Sequence, residues 1–404
     1  MIGPLALLLL LFIANPANAE QSPGTVLSVR SDARLEPADI TRTVAPLFEG
    51  LTAPAPLWPV DIYLIRYASR YPDGVPAAIT AQLFIPRLDT RRNCPVYVFA
   101  PGSTGLIEPC RPSNEHVAGI RWGLYRLHVL AVCSQGVIGI LPDYIGFGDP
   151  ERVQPYFSSV AEGRTLLDAV RAVKSFFRSQ PANAVPAPRA FLAGYSQGGH
   201  AAFAAADLKA SYAPEVRIAG IIGYGPTTDP ETLFREFTVA APLVVYTYSR
   251  LYGKERFDPA LILDEPWLSS LEYDVTRQCI GGIQSYYPWE PRKLFRPAFA
   301  EALLAGKLAE SFPQIHAILK ENSSGLSGHR IPVLILQGTE DVVIRFSSQE
   351  AFVRALCRAG SPVTYLRFSG SRHDTRQIGF ADVLNWMEEL TRGARPKSNC
   401  HELR

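Results

Sequence analysis

A serine inside a glycine-rich turn is the clearest candidate for chemistry in this sequence. Ser196 lies at the centre of GYSQG (residues 194–198), a G-x-S-x-G pattern that is a weak signal by itself. Its flanks strengthen it, because AFLA (190–193) predicts a buried strand and the alanine-rich stretch after the turn predicts a helix. Such an elbow exposes the serine hydroxyl at a helix N-terminus, where free N–H groups favour negative charge. We therefore predict that Ser196 is a nucleophile.

A serine hydroxyl attacks only when a base removes its proton and an acid fixes the tautomer of that base. Two later loops supply these groups, since Glu340 and Asp341 follow one predicted strand and His373 follows the next. We predict His373 as the base and Asp341 as the acid, with the adjacent Glu340 as the alternative acid. The order serine, acid, histidine is that of the α/β-hydrolase fold.

The oxyanion formed by serine attack needs two preorganised hydrogen-bond donors. The backbone N–H of Gln197, directly after the nucleophile, is the first. The second should come from the GSTG loop (102–105), where the Ser103 amide is the first choice and the Thr104 amide the second. This chemistry needs no organic cofactor, and no cysteine spacing suggests a metal site.

Three other polar residues near the predicted loops receive structural roles. His200 lies on the helix behind the elbow, so we predict a packed or hydrogen-bonded helix residue. Asp143 follows a predicted strand and is interpreted as a turn residue near the site, because the catalytic roles are already filled. Asp374 is interpreted as a surface or capping group.

Alternating strands and helices predict an α/β protein with a mostly parallel sheet and flanking helices. Residues 225–328 interrupt this alternation with aromatic and proline-rich sequence, which predicts an inserted, mainly helical cap between two parts of the core, 20–224 and 329–404. The predicted strands are 61–70, 77–85, 95–100, 137–141, 190–193, 217–222, 331–337 and 363–368, and the predicted helices are 114–134, 158–177, 347–357 and 375–390.

The first 19 residues have the pattern of a signal peptide, with an apolar run from Leu5 to Ala14 and a small-x-small ending before Glu20. A retained membrane anchor is the alternative, but the run is shorter than the roughly 20 residues that a span needs. We therefore predict a secreted protein, extracellular or periplasmic. The net charge of +2 with mixed signs predicts no nucleic-acid partner. Six cysteines in an exported chain favour disulfides.

Several segments together resemble the secretory lipase family of α/β hydrolases. They are APGSTG (100–105) with Cys110 close behind, PDYIGFG (142–148), GYSQGG (194–199) and GTED (338–341), although Ser103 stands where the family pattern leads us to expect Thr. The resemblance implies hydrolysis of carboxylic esters, often acyl lipids, under a helical cap. It also implies a disulfide between Cys110 and Cys279, which is the only cysteine in the predicted cap.

The other four cysteines can be paired by topology. Cys94 begins a predicted strand and Cys133 ends the following helix, so both should lie at the sheet edge opposite the active site. Cys357 ends a helix and Cys400 follows the last helix, so these two should meet as well.

The predicted function is thus a secreted serine lipase or carboxylesterase that works through an acyl-enzyme. Its partner would be a small-molecule or lipid ester, with transient contact between the cap and a lipid interface. A serine peptidase or an acyltransferase could use the same triad. A catalytically silent hydrolase fold that serves as a binding protein is the alternative of another class.

Overall fold

A computed structural model describes residues 21–115 and 122–403; the predicted signal peptide and its cleavage site lie outside these ranges. Within the described ranges, nine strands form one sheet in the order β1-β2-β3-β5-β4-β6-β7-β8-β9. The strands are β1 (Val26–Leu35), β2 (Val60–Arg70), β3 (Pro76–Pro86), β4 (Arg92–Ala100), β5 (Ile138–Pro142), β6 (Ala184–Tyr195), β7 (Ile218–Tyr224), β8 (Val333–Gly338) and β9 (Val363–Phe368).

The sheet is parallel from β5 to β9 and antiparallel from β1 to β3, which confirms the predicted α/β-hydrolase fold. Parallel strands place their carboxyl ends at one edge, so the loops after β4, β6, β8 and β9 can meet there. The sequence did not predict β1. This edge strand is exposed along most of its length and therefore lacks the apolar alternation of a half-buried strand.

Helices cover both faces of the sheet. One face packs against α1, α2 and α14, and the other against α3, α4 and α13. In chain order the helices are α1 (Pro37–Val44), α2 (Tyr125–Cys133), α3 (Ser159–Ser179), α4 (Gln197–Tyr212), α5 (Pro230–Glu236), α6 (Ala241–Tyr252), α7 (Glu265–Val275), α8 (Ile280–Tyr286), α9 (Pro291–Leu294), α10 (Pro297–Leu304), α11 (Leu308–Ser311), α12 (Pro313–Glu321), α13 (Phe346–Arg358) and α14 (Phe380–Thr391).

The predicted Cys94–Cys133 disulfide is wrong. Both cysteines are buried free thiols. Side chains of a strand alternate between the faces of the sheet. Cys94 on β4 joins the core beneath α3 and α4, whereas Cys133 on α2 belongs to the core on the opposite face. The topology had placed both residues at the correct edge without deciding on which side of the sheet each would lie.

The predicted helix over residues 114–134 is confirmed only over its C-terminal part, as α2 (Tyr125–Cys133), and is wrong for residues 122–124. Helix α2 begins only at Tyr125, after Leu124 in the left-handed conformation with φ of 54°. The buried carboxylate of Glu115 accepts five backbone N–H groups, those of residues 122 to 126. A side-chain anion therefore caps the start of α2, where free N–H groups need partners.

Residues 225–328, called the helical insertion below, contain eight α-helices between β7 and β8, and all of these residues are described. Most of its buried apolar side chains form a separate core. The Cys110–Cys279 disulfide is present and joins the insertion to the loop after β4. The Cys357–Cys400 disulfide is present as well. In the described part of the chain, no helix is both long enough and apolar enough to cross a membrane.

Candidate active site

Ser196 lies in the tight turn between β6 and α4. Its backbone has φ of 54° and ψ of −116°, an uncommon conformation for a residue with a side chain. Hydrogen bonds fix this turn, because the Ser196 N–H donates to Tyr224 O at 3.1 Å and the Ser196 carbonyl accepts from Gly199 and Thr227. The surrounding structure thus maintains a strained conformation, as expected where a side chain must be presented at a fixed angle.

Two glycines make the turn possible. A Cβ atom on Gly194 would lie 1.8 Å from the carbonyl oxygen of Gly198, so strand and helix could not pass at this distance. A Cβ atom on Gly198 would lie 2.0 Å from the carbonyl oxygen of Ala100, the last residue of β4. The G-x-S-x-G pattern is therefore required by the close approach of β6, α4 and the end of β4.

The loops after β8 and β9 bring Asp341 and His373 together. Nδ1 of His373 lies 2.8 Å from Oδ2 of Asp341. That carboxylate is buried and also accepts from Gln337 Nε2 at 3.0 Å and from the backbone N–H groups of Val343 and Ile344. The alternative acid, Glu340, is exposed. The geometry therefore pairs Asp341 with the histidine.

The second nitrogen of His373 is left without a partner. Because a carboxylate only accepts hydrogen bonds, Nδ1 donates to Asp341, and a neutral imidazole then carries its lone pair on Nε2. Nε2 is buried and has no hydrogen-bond partner in the described ranges. The ring of Tyr195, the residue before Ser196, has its centroid 4.9 Å from that of His373, so the elbow and the histidine loop are in contact.

The predicted oxyanion donors lie on the first turn of α4 and on the loop after β4. Gln197 is buried and is the first residue of α4. Ser103 is half-buried, with its Oγ 2.6 Å from the hydroxyl of Tyr156. Thr104 is pinned to the helical insertion, because its carbonyl accepts from the Ile280 N–H at 2.8 Å. In the described chain, no group of three or more His, Cys, Asp or Glu side chains is arranged to hold a metal ion.

Comparison with known proteins gives the same family as the motifs. A family model described as secretory lipase matches residues 113–248. Lipase A of Arthroderma benhamiae is 24% identical over 405 residues, covering 95% of this chain and 79% of the relative. The chain is therefore similar to the secretory lipase family over residues 113–248. The resemblance predicted from the sequence is thus confirmed.

Not every secretory lipase relative is described as active. A protein of Mycobacterium tuberculosis that is 24% identical over 95% of this chain and 82% of its own length is described as a probable inactive lipase. Among solved structures, the rice cell wall degrading esterase LipA from Xanthomonas oryzae superposes with a TM-score of 0.71 at 18% identity, covering 92% of this chain and 97% of that one. At this identity the likeness establishes the fold.

The secretory lipase match includes the elbow with Ser196 but ends before Asp341 and His373. It also includes Asp143 and His200. Asp143 is buried and accepts from the Ser113 N–H at 2.7 Å and the Ser113 Oγ at 2.6 Å, so it holds a turn, as predicted. Burial raises the pKa of Asp143 to about 7, although these hydrogen bonds oppose the shift.

His200 is fully buried and hydrogen-bonded, as predicted for a residue of this helix. Its Nδ1 lies 2.5 Å from Glu162 Oε2 and its Nε2 lies 2.6 Å from the carbonyl oxygen of Asn322. The sequence gave no reason to single out Glu162 beyond its place in the first turn of α3. Only the packing of α3 against α4 shows that this carboxylate faces the elbow helix.

Sequence reasoning also missed Arg376, a buried cation next to the Ser196 elbow. It forms an ion pair with Asp374 and donates to Gly123 O at 2.6 Å. Asp374 accepts the Arg376 backbone N–H, a capping contact, but it is also the partner of this guanidinium and not a simple surface group. Burial opposes ionisation of Asp374, yet the Arg376 charge and its hydrogen bonds lower the pKa of Asp374.

Proposed function

We propose that this protein is a secreted serine hydrolase that cleaves carboxylic esters through Ser196, His373 and Asp341. The observation that carries the proposal is the 2.8 Å contact between His373 Nδ1 and Asp341 Oδ2, which leaves Nε2 unpartnered beside the Ser196 elbow. Both the family match and the fold support a lipase or esterase.

In the proposed reaction, Ser196 Oγ attacks the ester carbonyl while His373 Nε2 accepts the hydroxyl proton. Asp341 remains ionised and stabilises the imidazolium. The backbone N–H groups of Gln197 and Ser103 hold the oxyanion, with the Thr104 amide as the alternative to Ser103. His373 then protonates the departing alcohol, and water attacks the acyl-enzyme by the same route. These steps need no cofactor.

We propose an acyl lipid or a smaller ester as the substrate, with the helical insertion acting as the cap. Most aromatic side chains of the insertion belong to its own core. Three are exposed, however, with Tyr273 at 62%, Tyr286 at 45% and Trp289 at 49% of their full accessibility. Exposed aromatic rings of this kind suit contact with a lipid–water interface. The signal-peptide pattern and the two disulfides support export.

Two other functions are compatible with this fold. A serine peptidase or an acyltransferase would use the same triad. A catalytically silent hydrolase fold is favoured only by the relative that is described as probably inactive. The strained Ser196 turn and the buried acid–histidine pair favour an active enzyme, because such strain persists where function requires it.

The test is hydrolysis of p-nitrophenyl esters from acetate to palmitate by the wild type and by Ser196→Ala. We expect turnover that the substitution abolishes, and labelling of Ser196 by a fluorophosphonate in the wild type alone. A long-chain preference with a rise in rate above the substrate's solubility limit would indicate a lipase, and a short-chain preference without it an esterase. A wild type that neither hydrolyses any ester nor reacts with the fluorophosphonate would contradict the proposal.

A further inference from the structure

We propose that Glu162 is a positioning residue that sets both oxyanion donors, Gln197 and Ser103. The inference rests on the proposed function, which assigns those donors. Glu162 lies in the first turn of α3 with its side chain 1% exposed. Its carboxylate hydrogen-bonds to three groups, Gln197 Nε2, the Phe157 N–H and His200 Nδ1, and none of these is a reacting atom.

The first set of Glu162 hydrogen bonds fixes the start of α4. Glu162 Oε1 accepts from Gln197 Nε2 at 2.7 Å, and Oε2 lies 2.5 Å from Nδ1 of His200, three residues further along. The carboxylate therefore holds two residues of the first turn of the helix that follows Ser196. The amide of Gln197 belongs to that turn, so its direction depends on how firmly the turn is fixed.

A further hydrogen bond of Glu162 fixes the loop before α3. Oε1 also accepts from the Phe157 N–H at 2.9 Å. Phe157 has φ of 56°, a conformation that a bulky residue adopts only when its surroundings maintain it. The preceding residue, Tyr156, is fully buried and places its hydroxyl 2.6 Å from Ser103 Oγ. Glu162 thus fixes the backbone that carries Tyr156, and Tyr156 fixes Ser103.

His200 helps to stabilise the buried carboxylate of Glu162. Its Nε2 donates to the carbonyl of Asn322 at 2.6 Å, since a carbonyl only accepts, and its Nδ1 faces Glu162. A buried carboxylate without such partners would be costly. Asn322 ends the last helix of the helical insertion and donates from Nδ2 to Tyr252 at 2.7 Å, so the network is also tied to the insertion.

A glutamine can replace this carboxylate and still satisfy its neighbours. Its oxygen would accept from Gln197 and Phe157, and its NH₂ group would donate to Nδ1 of a neutral His200. An alanine would leave those donors without an acceptor. We therefore expect Glu162→Ala to lower kcat by about 10- to 100-fold with KM within about twofold, and Glu162→Gln to recover most of kcat.

The matched control is Asp168→Ala. Asp168 lies on the same helix with its side chain fully buried, and it accepts from Ser69, Tyr212 and Arg171, away from the elbow. It should lose stability without losing kcat. A folded Glu162→Ala with kcat within twofold of wild type, or an Asp168→Ala that loses kcat equally, would overturn the inference.

A second variant covers the case in which Glu162→Ala does not fold. Tyr156→Phe keeps the buried ring and removes only the hydroxyl that holds Ser103. We expect about a 5- to 30-fold fall in kcat with unchanged KM, and a parallel fall in affinity for an alkyl trifluoromethyl ketone, whose carbonyl becomes an oxyanion when Ser196 adds to it. Wild-type kcat and ketone affinity in Tyr156→Phe would overturn the inference.

The two proposals fail in distinguishable ways. If the wild type shows no hydrolysis that depends on Ser196, the proposed function and this inference both fall. If the wild type and Ser196→Ala behave as expected but a folded Glu162→Ala or Tyr156→Phe matches the wild type, only this inference falls.

Discussion

The guanidinium of Arg376 lies 4.6 Å from the ring centroid of Tyr195, the residue directly before Ser196. On its other side Arg376 lies 5.2 Å from the ring centroid of Tyr125, and its charge is balanced by Asp374, the residue after His373. One buried cation therefore contacts the Ser196 turn, the start of α2 and the loop with His373. We therefore expect Arg376 to fix the relative placement of these three segments.

Replacing Arg376 should destabilise the fold strongly. Arg376→Met keeps most of the buried volume but leaves the Asp374 carboxylate without its cation, so we expect a loss of about 3–5 kcal/mol in the free energy of unfolding, measured by urea denaturation. Arg372→Met, an exposed position on the same loop, should change it by less than about 0.5 kcal/mol. Equal effects of the two substitutions would show that the buried pair is not a stabilising centre.

Asp341→Asn should lower kcat by roughly 10⁴-fold with little effect on stability. The amide can no longer hold His373 in the tautomer that leaves Nε2 free to accept a proton. Glu340→Gln is the neighbouring control, and its kcat should stay within about twofold of wild type because Glu340 is exposed. The measurement is steady-state kinetics of both variants on one p-nitrophenyl ester. A larger loss of kcat in Glu340→Gln than in Asp341→Asn would reassign the acid to Glu340.

The raised pKa of Asp143 predicts a pH-dependent stability. Folding raises this pKa from 3.8 to about 7, so between these values the folded state holds a proton that the unfolded chain has released. The free energy of unfolding must therefore fall as pH rises through this range. At 1.36 kcal/mol per pKa unit the fall is roughly 4 kcal/mol.

The measurement for Asp143 is urea denaturation of the wild type and Asp143→Asn from pH 4 to pH 8. Asparagine cannot release a proton, yet its oxygen can still accept from the Ser113 N–H. The free energy of unfolding of Asp143→Asn, relative to that of the wild type, should therefore increase as pH rises. Parallel curves would mean that Asp143 ionises in the folded protein as easily as in the unfolded chain.

Thiol titration checks the cysteine pairing. With all six cysteines inside the described ranges, two are free and both are buried. A thiol reagent should therefore react with almost no cysteines in the native protein and with two cysteines in the denatured, unreduced protein. Peptide mapping without reduction should link Cys110 to Cys279 and Cys357 to Cys400. A Cys94–Cys133 peptide would contradict the placement of these residues on opposite faces of the sheet.

Local sequence patterns were sufficient to find a site residue where neighbouring residues encode both its chemistry and its backbone geometry. The G-x-S-x-G turn has to be glycine-rich because strand and helix nearly touch, so Ser196 could be found from this pentapeptide and the strand and helix predicted on either side of it. Asp341 and His373 were found because they follow buried strands, whose carboxyl ends share one edge in any parallel sheet. Their roles as acid and base stay predictions.

By itself, the sequence predicted most strands of the sheet, the α/β-hydrolase fold, the resemblance to secretory lipases and the sheet edge at which the loops with Ser196, Asp341 and His373 lie. The tertiary structure alone decided which buried polar groups face one another. Glu162 and Arg376 lie in ordinary helical or loop sequence, and each has one partner that is distant along the chain. Gln197 is 35 residues from Glu162, and Gly123 is 253 residues from Arg376. Periodicity records which residues are buried, but a partner across two packed elements depends on register and side-chain direction, which no local pattern contains.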